Sequence, residues 1–211
     1  MSSPVWLVLA LLLSLLVALV VHPWRQLRNP HLWTPVLASL VILPWFWALP
    51  RLHAMPLQLQ LTGSVLVTLM LGWPLAVWVL LGVSLIAGWI APAPDTSLLL
   101  QWFELGWLPS SLALLLGAVL RRYAPAHPFI FILGRAFLGT VLCMFAARSL
   151  MVWLDEAPET VETGLSLVAQ WLMAWGDAVL TGLLTAIFVA FKPEWLATWS
   201  DQLYLRRPAG D

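Results

Sequence analysis

Residues 57–90 read LQLQLTGSVLVTLMLGWPLAVWVLLGVSLIAGWI. At about 1.5 Å rise per residue a single helix over this stretch is about 50 Å long, against a bilayer hydrocarbon core of about 30 Å. It is too long for one crossing. The natural break is Gly72-Trp73-Pro74, where glycine and proline interrupt the apolar run. Splitting there predicts helices over 57–71 and 74–90. The same reading carried outward predicts helices over 5–21, 32–49, 98–120, 129–154 and 163–191, with a cytoplasmic tail over 192–211. The expected fold class is all-α, a polytopic transmembrane bundle of seven helices.

Composition supports this class. Of the 211 residues, 62% are hydrophobic and 9% charged, where soluble domains carry about a quarter charged residues. Fifteen tryptophans add the side chain that favours the membrane interface. The ten basic and ten acidic residues cancel, so nothing draws the chain to nucleic acid. A single cysteine, Cys143, excludes an intrachain disulfide framework and disfavours thiolate metal chemistry. Met1-Ser2-Ser3-Pro4 lacks the basic start of a signal peptide, and Arg25 and Arg28 follow the first apolar run instead. Helix 5–21 is therefore expected to be retained, entering with its N-terminus outside.

Loop charge tests the count. With the N-terminus outside and the C-terminus cytoplasmic, inner segments carry Arg25, Arg28, Arg121, Arg122, Lys192, Arg206 and Arg207, and outer segments carry Arg51 alone. That asymmetry follows the positive-inside bias. Merging 57–90 into one helix would scatter these arginines across both faces.

Charges inside hydrocarbon cost about 2.5–3.5 kcal/mol each on insertion scales, and four stand out: Glu104, Arg135, Arg148 and Asp177. Glu104 and Arg148 fall at matching depth, which predicts an ion pair between sequential helices. Arg135 lies nearer the cytoplasmic side, within snorkelling reach. Asp177, near the middle of the last helix, needs a partner, a proton or a hydrated cavity. Pro35 and Pro44 fall inside the second helix and predict a bend, in a packing helix or in one that shapes a cavity. Gln58 and Thr62 share a helical face as interhelical glue or site lining, while Gln60 points elsewhere.

His53 and Met55 in the outer loop have metal-ligating chemistry. His22, His31 and His127 fall on the other side, and no HxH, HxxxH or Cys/His cluster exists. Spacing alone therefore shows no metal site. Ala10, Ser14 and Ala18 form a small-residue stripe that admits close packing, internally or with another subunit. Gly106 with Ser110, and Ala113 with Gly117, do the same on helix 98–120. There is no Walker A sequence, no glycine-rich nucleotide loop and no HExxH, so the chain carries no ATP motor and no visible enzymatic constellation.

Two segments carry a family resemblance. Residues 59–76, LQLTGSVLVTLMLGWPLA, resemble the third-helix motif of CbiM-type permeases. Residues 175–186, WGDAVLTGLLTA, running on to FKPEW at 191–195, are similar to the C-terminal segment of a CbiM-like branch of bacterial membrane proteins, with an acidic residue in the last helix. The resemblance extends from the second helix to the tail. It implies a substrate-binding membrane subunit of an energy-coupling-factor transporter for cobalt or nickel, resident in the bacterial inner membrane. Such a subunit works with a coupling transmembrane protein and cytoplasmic ATPases. Family members begin Met-His and bind metal through the N-terminal amine and nearby histidines. Here position 2 is Ser2, and Gln60 replaces the third-helix histidine. Either the substrate is a different small molecule, or a Co2+ or Ni2+ site is rebuilt from His53, Met55, Gln60 and Asp177, or transport has been lost and the chain is a scaffold or assembly protein. Transport predicts an outward-accessible polar cavity near Gln60 and Asp177. A scaffold predicts a packed bundle with every charge paired.

Overall fold

The computed structural model describes residues 5–21, 23–52, 61–154 and 161–204. It is helical throughout, and the described residues include no strand. The helices are α1 (Val5–Val20), α2 (Trp33–Leu52), α3 (Ser64–Leu71), α4 (Trp73–Ile90), α5 (95–123), α6 (130–154), α7 (Val161–Phe191) and the single turn α8 (Asp201–Tyr204). Five segments are long and apolar enough to cross a membrane: Pro30–Leu52, Trp73–Ile90, Ser97–Tyr123, Ile130–Met151 and Val168–Phe191.

The outward faces are apolar. Val41, Leu115, Leu142, Leu172 and Leu183 are all exposed, and Trp89 is 93% exposed. A water-soluble bundle sets polar side chains on that surface; this one is compatible with a multi-pass membrane protein. The interior is built around α3 and α4, whose Leu69, Leu71, Val77, Leu80 and Val83 are fully enclosed. Around them pack α2, α5, α6 and α7.

Segments predicted to share a face do gather together. At one end, the Gly72 turn approaches Gln26, and the chain beyond α7 docks on the carbonyl end of α3. There Ala197 N donates to Met70 O at 2.8 Å, and the Thr198 hydroxyl donates to Leu69 O at 2.7 Å. Phe131, at the start of α6, meets Trp199 and Tyr204 at the same end. At the opposite end Arg51 Nη1 donates to Ala91 O at 3.2 Å. Helices α2 and α4 thus run parallel, both toward the Arg51 end. Gly72 makes the tight α3–α4 turn with φ +73°, a left-handed conformation open to glycine.

Two expectations are corrected. Of the helix expected over 57–71, residues 57–60 lie outside the described residues, residues 61–63 are not helical, and α3 begins at Ser64 after Gly63 at φ +62°. The remaining eight residues of α3 span about 12 Å. Pro35 lies in the first turn of α2, where a missing N–H is harmless; Pro44 and Pro50 are the interior prolines. Beyond α7, Ala197 and Thr198 tie the tail to α3. Helices α5 and α6 also contain wide-turn π segments, Trp102–Trp107 and Ile130–Leu138, which hold Glu104 and Arg135.

Candidate functional site

A helix that starts in the middle of a bundle leaves backbone donors without partners, and in lipid these must be satisfied internally. The start of α3 shows how. Thr62 N–H donates to both carboxylate oxygens of Asp177, at 3.1 and 3.2 Å, and the Thr62 hydroxyl donates to one of them at 2.6 Å. The Thr62 carbonyl accepts from Trp47 Nε1 at 3.0 Å, with Trp47 fully buried. Asp177 of α7 is thus a cap supplied from another helix, 3% exposed, and the charge expected to need a partner has one. Met144 Sδ lies 3.5 Å from the Thr62 hydroxyl, and Ser64 adjoins it.

Asp177 also lines a cleft of about 400 Å³ between α2 and α7, whose walls include Ala38, Ile42, Phe46, Leu66 and Leu184. The cleft opens sideways: Ala38, Ile42 and Phe46 lie on the outer surface. The cavity expected near Gln60 and Asp177 involves Gln60, which lies outside the described residues; among the described residues the walls around Asp177 are mainly apolar. A more polar cavity, about 290 Å³, lies at the Arg51 end and is walled by Arg51, Gln101, Glu104 and Arg148. Here Arg148 Nη1 stands 3.8 Å from Glu104 Oε2, both side chains half-buried. Arg51 donates to Gln101 Oε1, and Gln101 Nε2 donates to Trp47 O at 2.9 Å. Arg148 and Glu104, expected as an interhelical pair, approach each other in this polar cavity. Arg148 also feels the charge of Asp177.

His53, Met55 and Gln60 lie outside the described residues, so the rebuilt metal set cannot be drawn from this geometry. Among the described residues no three His, Cys, Asp or Glu side chains converge. In the small-residue stripe, Ala18 is fully buried and α1 packs on α4. Ser14 has an interaction partner, and the Ala10 side chain is outside the description. Gly106, Ser110, Ala113 and Gly117 are all buried within the bundle.

Sequence reasoning missed Thr62 as the partner of Asp177, and Trp47 and Met144 as its surroundings. The usable signal was Gly63: a glycine followed by an ordinary helical run, preceded by a threonine, marks a helix start.

Comparison with known proteins gives no match, whether to a family model, a curated protein or a solved structure.

Proposed function

We propose that this chain is the substrate-binding membrane subunit of a multicomponent, energy-coupling-factor type transporter. In this reading it crosses a bacterial inner membrane seven times, with its N-terminus outside and its C-terminus in the cytoplasm. A separate coupling membrane protein and cytoplasmic ATPases supply the energy. The observation that carries the reading is the Thr62–Asp177 contact. The two segments that resemble CbiM-type permeases are the two that meet there, and together they wall one cleft.

The cleft points to a substrate class. Among the described residues its lining is one carboxylate and the hydroxyls of Thr34, Ser39 and Thr181 amid aliphatic and aromatic side chains, with no histidine or cysteine. Cobalt and nickel favour imidazole and other nitrogen or sulfur ligands. Ligand pockets for organic molecules are mostly apolar with a few placed polar groups. The substrate proposed is a small, largely apolar molecule with one hydrogen-bonding or cationic group, which meets the lone pairs that Asp177 keeps after accepting from Thr62.

A second reading, a non-transporting scaffold, draws on the same contact: a carboxylate held by the Thr62 amide and hydroxyl is a sufficient structural clasp. One preparation separates the two. The tagged chain, extracted from its own membranes in mild detergent, is expected to bring down a membrane partner and an ATPase. Native mass spectrometry is expected to find a small organic molecule that a cleft-filling Leu180→Trp variant lacks. Isolation without an ATPase, with phospholipid alone in the cleft, overturns transport and leaves the scaffold. Stoichiometric cobalt or nickel by elemental analysis overturns the organic substrate and restores the metal.

A further inference from the structure

At the Gly72 end, away from Asp177, a pocket of about 210 Å³ is enclosed by Gly117, Arg121, Ala124, Phe131, Arg135 and Tyr204. Arg135 forms its wall and is only 8% exposed. Its Nε and Nη1 have no hydrogen-bond partner. The guanidinium lies over the Phe131 ring at 5.6 Å and beside the Tyr204 phenol. On its other side the absence of a side chain at Gly117 makes room for it: a Cβ there would fall 2.6 Å from Nη2. Arg121, a second guanidinium, lines the same pocket from α5. Among the described residues the ion pairs are Arg148 with Glu104 and Lys192 with Glu194, so no carboxylate neutralises either arginine of the pocket.

Two like charges gathered at one cavity, one of them buried with open donors, form an unbalanced arrangement. Small residues, Ala124 and Ala126, leave its rim open. We infer that this pocket is a binding site for a phosphate-type oxyanion, held by Arg135 from within and Arg121 at the rim. Guanidinium groups match such anions with paired, charge-assisted hydrogen bonds. The pocket sits where α5 ends and α6 begins. That position is reached equally by the phosphate of an anionic lipid headgroup and by a soluble phosphate from the aqueous side. It is independent of the cleft at Asp177.

The test uses the full chain reconstituted in phosphatidylcholine vesicles, with thermal unfolding followed by tryptophan fluorescence. Two probes are added separately: phosphatidylglycerol in the bilayer, and inorganic phosphate in the buffer. One of them is expected to raise the unfolding temperature of the wild type and to lose that effect in Arg135→Gln. Stabilisation by phosphatidylglycerol alone assigns the lipid headgroup, and stabilisation by inorganic phosphate assigns the soluble anion. In native mass spectrometry, retention of the effective probe is expected to fall about tenfold in Arg135→Gln, the equivalent of one lost charge-assisted contact. Arg135→Lys, which keeps the charge without the fork, is expected to recover part of it. If Arg135→Gln fails to fold, Arg121→Gln decides, since Arg121 is exposed. Equal responses of the wild type and the folded variants to both probes overturn the site.

Discussion

Asp177 and Arg135 are buried to similar degrees, 3% and 8% exposed, in opposite settings. Asp177 faces the broken start of α3, where the Thr62 amide and hydroxyl converge on it. Arg135 sits in a wide π segment with two nitrogens unpartnered and a second arginine at the same pocket. The contrast separates two uses of a buried charge. Where the backbone breaks, exposed amides need an acceptor, and the carboxylate is consumed in holding the fold. Where the helix only widens, its backbone remains hydrogen-bonded and the charge is left over for a ligand.

That contrast is most directly broken by deleting each charge in turn. Asp177→Ala strands the Thr62 amide and hydroxyl in an apolar interior. It is expected to destabilise the bundle by about 3 kcal/mol, from losing bonds to a charged acceptor and leaving donors unpaired. Asp177→Asn retains one acceptor and is expected to cost about half as much. Arg135→Gln in a neutral bilayer is expected to cost less than either. Equilibrium unfolding in mixed micelles gives all three values, and an Arg135→Gln cost equal to that of Asp177→Ala removes the distinction.

Two glycines sharpen where the break must lie. Gly63 has φ +62°, and a Cβ there would meet Leu43 Cδ2 at 3.2 Å. Gly63→Ala is expected to cost about 1–2 kcal/mol, the penalty of a left-handed backbone with a side chain. Gly176, beside Asp177 within α7, has nothing within 4 Å of an added Cβ. Gly176→Ala is expected to stabilise by about 0.5–1 kcal/mol, the usual gain in a helix interior. Opposite signs from the same substitution, read in the same unfolding assay, locate the irregular backbone in α3 and the regular one in α7.

At the other end of α3, its free carbonyls are held by the chain beyond α7. Thr198→Val removes the hydroxyl that donates to Leu69 O and is expected to cost about 1 kcal/mol. Faster hydrogen exchange at the Ala197 amide, with α2 unaffected, is the signature of a loosened dock; unchanged exchange would mean the docking does not depend on this bond.

The helical class was legible because apolar residues run for the length of a bilayer, and the break at Gly72-Trp73-Pro74 was legible because its residues punctuate any helix. Which connections share an end followed from arginine placement. The start of α3 at Ser64 was not legible in the same way: Leu61-Thr62-Gly63 is too short a dip in an otherwise apolar run to mark a break, and only the left-handed glycine and a partner 115 residues away reveal the interruption. Asp177 was visible as costly, but its partner was a backbone amide, and every residue has one. A charge satisfied by the Thr62 amide and hydroxyl needs little water, so the described walls around it are mainly apolar. The docked tail was hidden because its grip on α3 runs mostly through backbone groups.

The smallest effect is expected at the ion pair that sequence depth predicted. Arg148 and Glu104 are 3.8 Å apart with side chains 24% and 32% exposed, in a cavity shared with Arg51 and Gln101. Partly hydrated pairs of this kind couple by about 0.2–1 kcal/mol, far below a desolvated pair. Arg148→Leu is expected to destabilise modestly, and Glu104→Leu on top of it to recover much of the loss. A double-mutant cycle measures the coupling, and raising the salt concentration is expected to shrink it. Because Arg148 also feels Asp177, the cycle needs a third arm, Arg148→Leu in the Asp177→Asn background. If the cost of Arg148→Leu vanishes there while the Glu104 coupling is zero, Arg148 answers to the carboxylate at the α3 break. The polar cavity and the clasp would then be one electrostatic unit, not two.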